Sequence, residues 1–250
     1  MEIQYFKQYS NALGKDMECK VYGHGGRPVL FIPCQDGRFW DFENFNMTDT
    51  WGPWIESGQV MVFSIDTIDA ETWSNKGGDP FWRARRYEDW IRYITDELVP
   101  FMRNMVNQRN GWDGYPGIMT FGCSLGATHA ANLYFRRPDL FDRVMALSGI
   151  YTADYGWDGY MDEVVYQNSP VHYLANMPAD HPYVYEYNQH KGVICVGQGA
   201  WEQTDTTRRI GEICREKGIN LWVDFWGYDV NHDWPWWHKQ VPYFLPYLLG

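Results

Sequence analysis

The stretch "FGCSLGATHAANLYF" holds a Gly-x-Ser-x-Gly at Gly122, Cys123, Ser124, Leu125 and Gly126. A serine hydroxyl becomes a nucleophile when a base takes its proton and fixed donors receive the charge that develops on the attacked carbonyl. The pattern alone is common, so its surroundings carry the information. An apolar run, "GIMTF", precedes it, and a small-residue, helix-forming run follows. That is the setting of a strand-to-helix elbow, which exposes its central residue at a strand end and uses glycines for close chain approach. The Leu125 amide then faces the oxyanion, helped by the helix N-terminus. Cys123 occupies the first x position and is expected to point into packing. The competing reading is a glycine-rich turn without chemistry, and the presence of partners decides between them.

A serine needs a base, and the base needs an orienter. Of the seven histidines, only His232 lies in a loop after the last expected strand, at the sheet edge that carries Ser124. His129 falls in the helix behind the serine and reads as packed or capping; His238 lies inside the terminal helix and reads as structural or exposed. The acid is expected after an earlier strand end. "VGQGAWEQTD" offers Glu202, preferred because it is nearer the strand, and Asp205 second. Asp154, after the preceding strand, is third. Asp233 is His232's own neighbour and is better placed for local turn bonding. The second oxyanion amide should come from the loop after "PVLFIPC". Gln35 is the choice there, with Cys34 and Asp36 as alternatives. "GHGG" at 23–26 precedes its strand and reads as a turn.

These residues need a sheet to bring them together. "IQYFKQYS" and "MECKVYG" flank "NALGKD" and predict a hairpin. "PVLFIPC", "VMVFSID", "GIMTF", "RVMALSG" and "GVICVGQG" read as buried strands, with "NLWVDFW" the last. Helices are expected between them: 80–109, kinked or divided at Pro100; 127–137, stopping before Pro138; 204–217, capped by Gly218; and one from about Pro235 to the C-terminus. Alternating strands and helices imply a mostly parallel sheet with both faces covered, and sites at the strands' carboxyl ends. No repeat or linker interrupts the chain, so 1–250 is read as a single α/β domain. The stretch 151–190 is long for a plain connection and rich in rings, and is expected to roof the site.

Bulk properties narrow the function. The 250 residues carry a net charge of −11, which argues against binding a phosphate backbone. No apolar run is long enough to span a bilayer. Five cysteines without a CxxC pair, and an N-terminus without a signal-peptide pattern, suggest reduced thiols and a cytoplasmic setting. Neither HExxH nor clustered His/Asp spacing appears, so no metal or other cofactor is expected. Aromatic residues reach 18%, with 14 tryptophans. Most are assigned to packing, while Trp73 and Trp157 are candidates to line a pocket.

Taken together, "FGCSLGA", "NSPVHYL", "VGQGAWE" and "NHDWPWWHKQVPYFL" resemble the esterase D / antigen 85-like, carbohydrate-esterase-1-like branch of the α/β-hydrolases. The resemblance runs from about residue 20 onward. It implies a three-layer α/β/α sandwich without a large separate lid, and hydrolysis of small-molecule esters or thioesters, with acyl transfer in some members. On the family pattern the nucleophile maps to Ser124, the base to His232 and the acid to Glu202. The chain departs from many relatives at "PCQDG", where they carry a His-Gly pair. An acetyl or feruloyl ester of a carbohydrate, or another small ester, is the expected substrate class. An acyltransferase, a catalytically silent binding module and a metallohydrolase are the rivals. A homodimer is compatible with the sequence but not required by it.

Overall fold

The computed structural model describes residues 1–114 and 116–250. One eight-stranded sheet runs through it, in the order β1-β2-β4-β3-β5-β6-β7-β8. The hairpin expected at the N-terminus is β1 (Ile3–Ser10) and β2 (Lys15–Tyr22). It pairs antiparallel and closes through the Gly14 N–H, which donates to Ser10 O at 2.8 Å. β2 also runs antiparallel to β4 (Val60–Ile65). From there the sheet is parallel, through β3 (Arg27–Ile32), β5 (Ile118–Cys123), β6 (Phe141–Leu147), β7 (Lys191–Val196) and β8 (Trp222–Phe225).

Alternation along each strand explains the unbroken apolar runs. Leu30 and Ile32 of β3 face one apolar layer, and Val29 and Phe31 face the other. β4 divides in the same way, with Met61, Phe63 and Ile65 opposite Val60 and Val62. The first layer is covered by α3 (Pro80–Arg92), α4 (Val99–Asn110), α5 (Leu125–Arg136) and α10 (Asp205–Lys217). The second is covered by α1 (Asp41–Asn44), α2 (Met47–Glu56) and α11 (Trp234–Leu249). Between β6 and β7 lie four short helices: α6 (Asp154–Trp157), α7 (Glu163–Gln167), α8 (Pro170–Asn176) and α9 (Pro182–Gln189).

Two points refine the expectations. The long helix is divided just before Pro100, by a change of helix type. A π-helical segment, Tyr93–Leu98, joins α3 to α4, and Pro100 falls in the first turn of α4, where a missing N–H costs little. α1 and α2 were not foreseen, although Met47, Trp51 and Ile55 recur at four-residue steps and are all buried. Among the described residues, no helix is long and apolar enough to cross a membrane.

Candidate active site

The chemistry-bearing residues gather at the carboxyl ends of the parallel strands. Ser124 follows β5, Gln35 follows β3, Glu202 lies beyond β7 and His232 beyond β8. Ser124 sits between strand and helix with φ 56° and ψ −129°, a conformation L residues rarely adopt. Its N–H donates to Leu147 O at 2.9 Å, and its carbonyl accepts from the Ala127 and Thr128 amides. The flanking glycines are there for space. A Cβ on Gly122 would lie 2.3 Å from the Gly126 backbone, and one on Gly126 would lie 2.2 Å from Ile32 O. Gly126→Ala should therefore drive α5 away from the end of β3. It is expected to destabilise the protein by at least about 3 kcal/mol. A urea denaturation curve with a lower midpoint and unchanged slope would register this, and an unchanged midpoint would refute it.

His232 is held from both sides. Its N–H donates to Ala200 O at 3.0 Å, and its ring meets Trp237 edge-on at 5.2 Å. Nε2 accepts from the Ser124 hydroxyl at 2.9 Å, and Nδ1 faces Glu202 Oε2 at 3.1 Å. Glu202 is almost fully buried, with a side chain 1% exposed. Its other oxygen accepts from Ser148 Oγ at 2.7 Å and from the Gly197 N–H at 3.1 Å. Ser148 Oγ in turn accepts from Trp237 Nε1–H at 3.0 Å, which orients the hydroxyl as a donor to the carboxylate. The other acids considered are engaged elsewhere. Asp233 caps α11 through the Trp234 N–H, Asp154 bonds Thr152, and Asp205 opens α10.

Neither the Leu125 nor the Gln35 N–H has a hydrogen-bond partner among the described residues, and both residues line the cleft over Ser124. Leu125 is the first residue of α5, so its amide precedes the helical ladder. Of the alternatives to Gln35, Asp36 has its N–H taken by Asp69 Oδ2 at 3.2 Å, and Cys34 does not line the cleft. Cys123 turns into the layer under α2 and α11, and burial pushes its thiol well above the ordinary range. It presents no thiolate to the cleft.

The cleft has a volume of about 130 Å³ and a mixed lining that includes Thr128, Ser148, Ile150, Tyr155 and Trp201. Trp73 and Trp157, expected to line it, do not. Both are 2% exposed and stack edge to face at 4.6 Å, and the Trp157 indole N–H is spent on Pro80 O. They fasten the 151–190 stretch to the core because their large faces gain more from burial than from solvent. The tryptophan that does reach the cleft is Trp201. It is 89% exposed, has φ 67° and immediately precedes Glu202. Its signal was its place beside the preferred acid, at a strand end. Ser148 was also missed. It directly follows β6 in "ALSG" with φ 59°, a second strained serine beside the first.

The family model described as "Putative esterase" matches residues 10–248. Among curated proteins, none matches the sequence. Solved structures match over nearly the whole chain. A ferulic acid esterase has a TM-score of 0.75 at 16% identity, covering 99% of this chain and 98% of its own. An S-formylglutathione hydrolase from Agrobacterium tumefaciens has 0.73 at 14%, covering 99% and 95%. A ferulic acid esterase from Anaeromyces mucronatus has 0.71 at 13%, covering 100% and 91%. At such identities the likeness shows the fold, a mostly parallel α/β-hydrolase sheet with no separate large lid.

Proposed function

The chain belongs to the esterase family and is a carboxylic ester hydrolase acting on small-molecule esters; from that premise, we propose that Ser124, His232 and Glu202 are its triad and that a short-chain acyl ester is its substrate. The observation that carries the triad is the unbroken run of contacts from Ser124 Oγ through both ring nitrogens of His232 to Glu202, at 2.9 and 3.1 Å. His232 takes the serine proton as Oγ attacks the ester carbonyl. The Leu125 and Gln35 amides receive the oxyanion. His232 then protonates the departing alcohol, the acyl group stays on Ser124, and the same imidazole activates water to release the acid. Intact mass after treatment with a fluorophosphonate tests this. One adduct on the wild type is expected, and a folded protein that takes none would sink the reading.

The cleft's size supports the substrate side. At about 130 Å³ it is well below the roughly 300–1,000 Å³ of sites that enclose drug-sized ligands. An acetyl or similarly short acyl group fits inside, so the bulk of the substrate stays outside. Trp201 and Tyr155 border the cleft with exposed rings, which suit a flat sugar or aromatic alcohol. Acetyl esters are therefore expected to outrun hexanoyl and feruloyl esters of the same alcohol. Trp201→Ala should raise KM for bulky-alcohol acetates by about 2- to 12-fold at unchanged kcat, the equivalent of one ring contact. An ester panel on the two proteins measures both, and a KM that does not move would remove Trp201 from the substrate path.

A further inference from the structure

Gln35 and Asp36 lie in a tight turn closed by the Gly37 N–H, which donates to Cys34 O at 2.8 Å. Asp36 has φ 57°, so the turn needs an outside hold. Asp69 supplies it. One carboxylate oxygen accepts from the Asp36 N–H at 3.2 Å, and the other faces His129 Nε2 at 3.0 Å. The backbone carbonyl of Asp69 accepts from the Thr72 and Ser74 amides, and Ser74 Oγ accepts from Gln35 Nε2 at 2.9 Å. Gln35 is thus pinned twice to one short segment, once through its side chain and once through its neighbour's amide.

The rest of the unit lies in the core. His129 Nδ1 pairs with the Tyr87 hydroxyl at 2.8 Å. With the ring hydrogen on Nε2, Tyr87 donates to Nδ1 and Nε2–H donates to Asp69, so one assignment satisfies every polar atom. Burial raises the Tyr87 hydroxyl's pKa well above its ordinary value and keeps it a donor. Trp73, Tyr87 and Trp90 pack around the imidazole at ring separations of 5.7, 5.3 and 5.2 Å. Asp69 is 2% and His129 0% exposed. Apolar residues would fill such a space at lower cost, so a packing role alone does not account for a carboxylate there. His129 also stands on α5, the helix that begins beside Ser124.

We propose that Asp69, His129 and Tyr87 form a buried positioning unit that fixes the second oxyanion donor, holding the Asp36 amide so that the Gln35 N–H stays unpaired at the cleft. The proposal rests on the hydrolase reading, and the experiment separates the two. Asp69→Ala, with acetyl ester as substrate, should lower kcat about 10- to 100-fold while KM stays within about threefold, as for a displaced oxyanion donor. Asp69→Asn keeps an acceptor for the Asp36 amide and offers an N–H to Nε2 of the other imidazole tautomer, whose Nδ1–H the Tyr87 oxygen accepts, so it should recover to within about threefold of wild type. Hydrogen exchange at the Asp36 amide should quicken about tenfold or more in Asp69→Ala and not in Asp69→Asn.

Unchanged kcat in Asp69→Ala, or equal losses in the two variants, overturns the proposal, as does unchanged Asp36 exchange. Where Asp69→Ala does not fold, Tyr87→Phe is read instead. It frees one end of the imidazole and should cost about three- to tenfold in kcat at constant KM; no loss overturns the proposal. A wild type that neither turns over esters nor takes the fluorophosphonate overturns the hydrolase reading and the positioning role together. An active, labelled wild type with indifferent variants overturns the positioning role alone.

Discussion

Ser124→Ala is expected to lower kcat by about 10⁴- to 10⁶-fold and to abolish the fluorophosphonate adduct, while the protein stays folded. The size of the loss follows from the chemistry. Without Oγ no acyl-enzyme can form, and only water, oriented by His232 and the two amides, is left to attack. The fold should survive because, among the described residues, Ser124 Oγ bonds only to His232 Nε2, whereas the backbone that defines the elbow bonds through Ser124 N–H and C=O. Alanine at a positive φ costs about what serine does there. The measurement is steady-state hydrolysis of an acetyl ester together with intact mass and a far-ultraviolet spectrum. A variant that keeps more than a few per cent of the wild-type rate would mean the chemistry runs elsewhere.

Glu202→Gln is expected to lower kcat by about 10³- to 10⁴-fold, with little change in KM or in melting temperature. Glu202 Oε1 accepts from Ser148 and from the Gly197 N–H, and the glutamine carbonyl can occupy that place unaltered. The amide nitrogen then faces His232 Nδ1, where the carboxylate used to accept. Two donors cannot share that contact, so the imidazole moves its hydrogen to Nε2. An Nε2 that carries a hydrogen cannot take one from Ser124. The variant thus keeps the packing and inverts the tautomer. Ester turnover set beside a thermal melt separates this outcome from collapse of the loop, and near-wild-type turnover would remove Glu202 from the triad.

Much of this site was legible because it depends on strand ends. The apolar runs that mark β3, β5, β7 and β8 also say where each chain leaves the sheet, and the positions of Ser124, Gln35, Glu202 and His232 follow from them. The elbow was readable from Gly122 and Gly126, whose missing side chains answer contacts of 2.3 and 2.2 Å. What a ring does could not be read in the same way. Trp73, Trp157 and Trp201 are the same residue type, each in a connection between strands, but two are buried and one stands in solvent. Trp73 and Trp157 are buried against each other and against Tyr87, contacts between distant stretches of chain that no local pattern encodes. Ser148 and Asp69 were hidden for a related reason. Each acts through partners 54 and 60 residues away in the chain, Glu202 and His129, so spacing carries no trace of the pairing.

The π-helical segment between α3 and α4 has a consequence for the length of that rod. Ile94, Leu98, Met102 and Val106 are all buried and recur every four residues. On a regular α-helix, four residues overshoot a turn by about 40°, so a stripe with that repeat winds away from its target. The wider π turn takes up part of the overshoot and keeps Met102 and Val106 aimed at the sheet. The winding of 93–98 is therefore a phase setting. Winding all six of its residues into a regular α-helix would add about one residue's rotation and swing α4 by about 100°. The apolar side chains of α4 would turn outward, and polar ones such as Asn104 and Gln108 would turn toward β3.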